Sequence, residues 1–498
     1  MAYMLGIDGG TESLRARVFD MTGHPLGNAA SPYPTRFAPG ARAEQEPEDW
    51  WQAMGRAVRA AMAEAGVAAD QVEALALATT NCTVVALDAA GRPLRPAILW
   101  MDMRAGAEAA DVLATGDPAL IVNGAGTGPV SAEWMIPKAL WLARHEPQVF
   151  DAAATICEYQ DYMTLRLTGQ RVASLNNVSI RWHYATDRGG WPTSLVRALG
   201  IPALLEKWPA EAVAPGAVIG RLTAEAAAHL GLTTATKVVQ GGADAQIGVV
   251  GLGVARPGQL ALITGSSHLQ FGISDAPRHA PGLWGSYKDA LYPGRYIFEG
   301  GQTSTGSIVN WLRRLAGGNL DLAKLNEAAA ALPPGAEGLL ALDHFQGNRT
   351  PHTDPLARGA ITGLSLHHGM AHVFRAVLES ICLGTRAIVD RMRDAGFGAT
   401  EMIAGGGATN SALWLQIHAD TANLPVLVPD VSEAPSLGAA ILSAVGAGRF
   451  ASIEDGIAAM VRPGRRIEPI AANVARYQEI YARYAALYEA LKPLRAPA

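Results

Sequence analysis

Cysteine is scarce in this chain: there are three in 498 residues, at Cys82, Cys157 and Cys382. They are far apart and odd in number, without the spacing of metal ligands. That argues against a disulfide framework and a zinc site, and for a reducing, cytoplasmic setting in which each is a small buried hydrophobe. Charge is thin as well: charged residues make up 17%, the net charge is -5, and there is no Lys/Arg run. The electrostatic footprint of a nucleic-acid binder is therefore missing. No uninterrupted apolar run approaches the length of a bilayer span. The N-terminus runs straight into strand-like sequence without the basic and apolar regions of an export signal, so neither membrane insertion nor export is expected. What is abundant is glycine and alanine, in a chain long enough for two or three domains with ample core.

The most informative stretch runs from Leu5 to Asp20. Apolar, β-prone ends (Leu5, Ile7; Ala16, Val18, Phe19) flank Gly9-Gly10-Thr11-Glu12-Ser13, which predicts a strand, a glycine turn and a returning strand. Gly9 and Gly10 let a ligand approach the backbone N–H groups. Thr11 and Ser13 add hydroxyls, Arg15 a cation, and Asp8 a carboxylate suited to a hydrated magnesium ion. The pattern fits a phosphate cradle, and it also fits an ordinary hairpin.

Downstream, Glu46-Pro47 followed by acids and a periodic apolar run (Trp51, Met54, Val58, Ala61, Met62) predicts a helix start. Val72–Ala78 reads as a buried strand, and strands then alternate with helices as in an α/β domain. Val238–Gly248 reads as a strand, a double-glycine turn at Gly241-Gly242, the carboxylate Asp244 and a helix start, and a domain boundary is placed after Gly248, giving domains 1–248 and 249–498. The second half opens with Gln259–Ile273, again a strand, a Gly-plus-hydroxyl turn (Gly265-Ser266) and a returning strand. This echo of Gly10-Thr11 suggests an internally duplicated fold gripping a nucleotide between its halves. Later come Glu299–Gly306 leading into a helix, a long helix near 370–395, and Gly405-Gly406-Gly407 before a helix at Ala412, a phosphate- or adenosine-approach loop in shape. Tyr477, Tyr481, Tyr484 and Tyr488 share one helix face and read as core docking.

Together these motifs resemble the FGGY family of carbohydrate kinases over nearly the whole chain, in the same order. The most specific piece is Gly359-Ala360-Ile361-Thr362-Gly363-Leu364, then seven residues, then His372 to Glu379, which matches the family's C-terminal pattern. Phe345 to Pro351 is similar too. In the family's other pattern Lys138 and Trp141 sit in place, while Glu133 and Met135 depart from it. The resemblance implies the duplicated ribonuclease-H-like α/β fold of actin, hexokinase and heat-shock chaperone ATPases, two domains around a cleft, with ATP and Mg2+ as cofactors.

It further implies that Asp8, Thr11, Ser13 and Arg15, with Gly10, face the transferred phosphate and magnesium, Asp8 holding the metal. Thr264, Gly265 and Ser266 would form the second phosphate loop, and Gly306, Asn310, Gly407, Asn410 and Ser411 would lie near adenosine and the phosphates. Asp244 would be the catalytic base, beside Asp8 and Arg15; helix capping is its alternative role. Phosphoryl transfer needs such a carboxylate to accept the acceptor hydroxyl's proton. The expected partner is a small-molecule sugar or polyol, with no nucleic acid and no membrane. Oligomeric state is not readable, a homodimer being the assembly to consider.

For the substrate, Trp100 to Ala105, Cys82-Thr83 and Glu299 to Gln302 resemble ribulokinase-type members. Xylulokinases carry Gln-Met-His where this chain has Asn81-Cys82-Thr83, and glycerol kinases a Gln where it has Ala245. The expectation is a ribulose-type ketopentose, with xylulose, erythritol and xylitol as alternatives. Asn81, Trp100, Asp102, Glu299 and Gln302, with Asp244, are the candidate sugar contacts. Trp100 in the core and a solvated Asp102–Arg104 pair are the competing readings there. His268 is read as a packed turn residue. A catalytically inactive sugar sensor is the non-enzymatic alternative, against which stands the retention of both Asp8 and Asp244.

Overall fold

The opening residues pair as their pattern predicts: β1 (Tyr3–Gly9) runs antiparallel to β2 (Ser13–Phe19), with Asp8 opposite Arg15. The computed structural model describes residues 2–494 apart from 319 and 432. β3 (Pro25–Pro32) follows, then α1 (Pro47–Ala65), with Pro47 at its first position and Gly66 closing it at φ 62°. α1 buries Trp50, Trp51, Met54, Val58 and Ala61 against the sheet. β4 (Val72–Thr79) lies parallel to β1.

A long excursion then builds a five-stranded sheet and several helices, including α2 (Met135–His145) and α3 (Leu175–Arg181). The chain returns through β5 (Val218–Arg221) and β6 (Lys237–Ala243) into α4 (Asp244–Gly251). The first central sheet has the order β5-β6-β4-β1-β2-β3.

The second half repeats the plan. It comprises β7 (Gln259–Thr264), β8 (His268–Ser274), β9 (Gly285–Lys288), β10 (Tyr296–Gln302), α5 (Gly306–Leu315), α6 (Met370–Asp394), β11 (Glu401–Gly406), α7 (Ala412–Ala422), β12 (Val426–Val428), α8 (Ala434–Ala447), β13 (Arg465–Ile467) and α9 (Ala471–Leu491). Its sheet runs β9-β10-β8-β7-β11-β12-β13. Apart from the edge strand β9, each strand has a counterpart in the first sheet: β7, β8 and β10 stand for β1, β2 and β3, and β11 and β12 for the parallel strands β4 and β6. The duplication suggested by one echoed turn is thus present in a whole strand order.

The halves meet where α8 packs on α4 and on β1, and one apolar cluster runs through from Met4 and Ala76 to Ile247, Leu437, Ile441 and Ile403. The approach is backbone to backbone: a Cβ on Gly438 would lie 2.0 Å from Ile247 O, and one on Gly251 1.9 Å from Ala434 O.

Two readings of local structure change, and a third gains detail. Gly241 and Gly242 are not a turn but part of β6, at a register shift against β4. Glycine is needed there for space, since a Cβ on Gly241 would sit 1.7 Å from Leu77 O. His268 lies in strand β8, fully buried beside Trp414 and His418. The tyrosine face of α9 does dock into the core, and it adds hydrogen bonds: Tyr477 to Glu379 at 2.9 Å, Tyr484 to Asp343 at 2.5 Å and Tyr488 to Asp354 at 2.8 Å.

The C-terminal pattern also acquires a physical role. Glu379, ion-paired with Arg375 at 2.9 Å, accepts the Gly335 N–H, and His372 reaches Glu337 at 3.3 Å. Both ends of the pattern thus hold the turn 335–338, whose four residues all have positive φ. All three cysteines are buried and unpaired by disulfide. No helix among the described residues is long and apolar enough to cross a membrane.

The α4–α8 contact predicts that Gly438→Val overpacks the seam between the halves. The expected cost is about 1–3 kcal/mol, read by calorimetry as a Tm lowered by about 1–3 °C. An unchanged Tm would show that the seam yields.

Candidate active site

Both glycine hairpins have three-residue connections, 10–12 and 265–267, and each is braced from behind. In the first, Tyr33 O–H donates to Gly10 O, and Gln45 Nε2 donates to Thr11 O at 2.7 Å while its Oε1 accepts the Trp50 indole N–H at 2.8 Å. Trp100 Nε1 donates to Thr11 Oγ1 at 3.0 Å. Gly9 has no room for a side chain, since a Cβ would lie 2.8 Å from the Tyr159 hydroxyl. With the carbonyls of Gly10 and Thr11 already engaged, the turn repels an anion less than bare carbonyls would.

In the second, the N-terminus of α5 does the bracing: Gly306 N–H donates to Gly265 O at 3.1 Å, and Thr305 and Ser307 N–H both reach Ser266 O. A Cβ on Gly306 would lie 2.5 Å from Gly265 O. Thr264 Oγ1 donates to Gly405 O at 2.7 Å and accepts Ala408 N–H at 3.0 Å, joining this hairpin to the triple-glycine turn. Gly407 and Asn410 bound the short 3-10 turn after β11, Gly407 and Asn410 being exposed. Asn310 is exposed on α5. Ser411 caps α7 through Trp414 N–H and donates to Asn326 Oδ1 at 2.7 Å, so its hydroxyl is engaged in structure.

Two carboxylates stand at the first of these hairpins. Asp8 ends β1, 4% exposed, with one oxygen 3.0 Å from Arg15 Nη1. Burial raises its carboxyl above the usual range, and Arg15 offsets part of the rise. Asp244 begins α4 one residue after the N-cap Ala243, so it is not the capping residue, and its carboxylate accepts the Ala245 N–H at 2.7 Å. Burial, reinforced by the charge of Asp8, pushes it up to about 7. A carboxylate with that value is poised to take a proton near neutral pH. Tyr33 feels both acids and Arg15, which places all four groups in one neighbourhood.

The expected sugar contacts divide. Asn81 has both amide atoms buried without a hydrogen-bond partner, which is a standing demand for a polar ligand. Trp100 is partly exposed next to Thr11. Asp102 is instead sealed at 0% exposure, with its oxygens held by Ala43 N–H and by Arg104 in a buried ion pair at 2.7 Å. Gln302 is likewise sealed, bonded to Gln270, Asp343, Thr385 and Ile381 O. Neither has a free hydrogen-bonding face to offer, because each was spent on packing its own neighbourhood. Glu299 is buried but polar on one side, accepting from Tyr287 O–H at 2.7 Å and from Arg181 at 2.6 Å.

That pair exposes what sequence reading missed. Arg181 ends α3 in the first half, Glu299 lies on β10 in the second, and Arg181 stacks over Trp134 and Trp284 at 5.6 and 5.3 Å. Arg349 lies over the same Trp284 at 4.4 Å. α3 itself is fixed at the base of the site: Asn176 accepts Ala243 N–H at 2.9 Å and donates to Gln246. The adjacent Asn176-Asn177 in an otherwise apolar helix was the signal available for this face.

The raised Asp244 carboxyl has a stability consequence. Its folded-state value of about 7 lies above the ordinary 3.8, so its contribution is fully present below about 3.8 and is lost as pH rises through about 7. Asp244→Asn is therefore expected to match the native Tm at acid pH and to exceed it by about 2 °C or more at pH 8, measured by thermal unfolding without ligands. An equal Tm at both pH values would contradict the buried, raised carboxyl.

Comparison with known proteins bears on this site. Residues 3–251 match the N-terminal domain, and residues 260–447 the C-terminal domain, of the FGGY family of carbohydrate kinases. A ribulokinase of Geobacillus thermodenitrificans is 30% identical, covering 98% of this chain and 94% of its own. The crystal structure of a xylulose kinase from Rhodospirillum rubrum, 31% identical, superposes with a TM-score of 0.89 over 99% of each chain. Plasmodium falciparum glycerol kinase, solved with ADP, shares the fold at 18% identity with a TM-score of 0.88 over 98% of each chain.

Proposed function

The chain belongs to the FGGY family of carbohydrate kinases, and on that premise we propose that this sugar kinase phosphorylates a terminal hydroxyl of a ketopentose, ribulose being the favoured substrate. The observation that carries this reading is the nearness of Asp244 to Asp8 and Arg15 at the first of two braced glycine hairpins, one of which heads each half. ATP is the phosphoryl donor of such enzymes, and the duplicated actin- and hexokinase-like fold offers it a hairpin on either side.

In the proposed step the sugar hydroxyl gives its proton to the Asp244 carboxylate, and its oxygen attacks the γ-phosphorus in line. The bond to the β–γ bridging oxygen breaks, and ADP leaves. Arg15 and the turn amides of both hairpins stabilise charge on the transferred group. Asp8 fits a magnesium site: it is a buried carboxylate of which Arg15 engages one oxygen, and with the phosphates of ATP it would hold an ion that neutralises their charge. Gly10, Thr11, Ser13, Thr264, Gly265 and Ser266 are the proposed phosphate contacts, with Gly306 supporting the second hairpin. Gly407, Asn410 and Asn310 are the proposed surroundings of adenosine.

For the sugar, the unpartnered Asn81 amide can both donate and accept, Trp100 offers a ring face, and Arg181 with Glu299 offers a donor and an acceptor across the cleft. Such a set suits vicinal hydroxyls next to a ketone oxygen. The ribulokinase relative supports ribulose, and the solved xylulose kinase supports xylulose equally.

The test is ADP release with magnesium-ATP against D- and L-ribulose, D- and L-xylulose, erythritol, xylitol, ribitol and glycerol. One strong ketopentose responder is expected, and Asp244→Asn should lower its kcat by about a hundredfold or more. A polyol responder, or near-normal turnover of the variant, would overturn the substrate class or the base respectively. In the native enzyme kcat/KM is expected to fall about tenfold per unit as pH drops below about 7, and a rate flat from pH 5 to 8 would remove Asp244 from the proton transfer.

A further inference from the structure

The turn 80–83 leaves β4 beside the first hairpin, Thr80 N–H donating to Gly9 O at 3.0 Å. Its third residue, Cys82, is left-handed at φ 64°, a conformation that costs energy in any residue with a Cβ and that persists only when its surroundings impose it. Two buried charges do so. Glu158 Oε2 accepts the Cys82 N–H at 2.9 Å, and Lys138 Nζ donates to Cys82 O at 2.7 Å. Lys138 makes a second bond, at 2.6 Å, to Leu99 O, the carbonyl immediately before Trp100. Asn177 and Trp182 complete the partners of Glu158, at 2.9 and 2.6 Å.

Lys138 and Glu158 are each 0% exposed, yet each directs its hydrogen bonds to this turn and its surroundings and not to the other. Burying charge is costly, and apolar residues of similar size would fill the same space more cheaply. What apolar residues cannot do is hold one residue through the two peptide groups that flank it, the N–H before its Cα and the C=O after it. The residue before Cys82 is Asn81, whose amide is buried and unpartnered. Burial pulls the Lys138 ammonium down to about 8, and even its neutral form keeps the two donors that the two carbonyls need.

We propose that Lys138 and Glu158 are positioning residues for the sugar: they lock Cys82 in its left-handed conformation through the peptide groups on either side of it, aim the Asn81 amide at the substrate, and set the Asn81 turn against the Trp100 turn. This rests on the reading of Asn81 as a sugar contact.

The experiment is a cycle on the full chain, with kcat and the KM of sugar and of ATP measured for Asn81→Ala, Lys138→Met, the double variant and Glu158→Gln. Each of the first two is expected to raise the sugar KM about tenfold while the ATP KM stays within about twofold. The double variant should be no worse than the more damaging single one, because both remove the same contact. Glu158→Gln, which keeps size and one acceptor, should raise the sugar KM in the same direction by less, and it carries the test if Lys138→Met does not fold. Effects that multiply to about a hundredfold, or an ATP KM rising in step with the sugar KM, overturn the positioning role while leaving Asn81 as a contact. An unchanged sugar KM in Asn81→Ala overturns the reading of Asn81 and the proposal with it.

Discussion

The seam where α8 lies against α4 and β1 sets the geometry of everything else. Glycine at 6, 251 and 438 removes the side chains that would hold these backbones apart, and a Cβ at Gly6 would lie 1.9 Å from Ser436 O. Asp8 follows Gly6 by two residues on β1, and Asp244 is the first residue of α4. Both carboxylates of the proposed site therefore hang from elements that one helix of the opposite half holds in place. Close packing of this kind is discrete and not continuously deformable, so the halves can move only as bodies about the seam. That is the mechanical requirement for a cleft that closes on two substrates and excludes water.

The cost of the arrangement is electrostatic. Burial raises the carboxyls of Asp8 and Asp244, and the charge of Asp8 adds to the rise at Asp244, which disfavours the folded apo state at neutral pH and suits the proton-accepting role proposed for Asp244. Stability is given up where reactivity is needed, as strained or mismatched groups at functional sites commonly show. The surrounding structure supplies compensation through groups that never meet a substrate: Tyr33, Gln45 and Trp50 behind the first hairpin, and the start of α5 behind the second.

Charge inside this molecule serves two purposes that residue type alone does not separate. Asp102–Arg104 and Arg375–Glu379 are closed ion pairs that organise neighbouring loops. Arg181–Glu299 joins the two halves. Lys138 and Glu158 hold a single residue, Cys82, between them. The distinction lies in whether each charge's hydrogen-bonding capacity is used up by the protein or left facing the cleft.

Local pattern was enough for a good part of this. Strand, glycine turn and returning strand at 5–20 and 259–273, the helix beginning at Pro47, and the carboxylate at the head of α4 all follow from short-range rules, because β-prone alternation, proline at a helix start and helix periodicity act over a few residues. The duplicated order and the family membership were legible from the sequence of such motifs along the chain. Gly241-Gly242 misled because a glycine pair signals a turn locally, whereas here it makes room for Leu77 on the neighbouring strand. Asp102 and Gln302 misled because a polar residue beside a motif carries no mark of which way it points. Arg181, Glu158 and Tyr33 were silent for the same reason: their partners lie 118, 76 and 23 residues away in the chain. The sequence by itself determined the two glycine hairpins, one at the head of each half, and the helix that begins at Asp244. The tertiary structure decided which polar groups face the cleft, since burial and hydrogen-bond partners across distant segments exist only once the chain has folded.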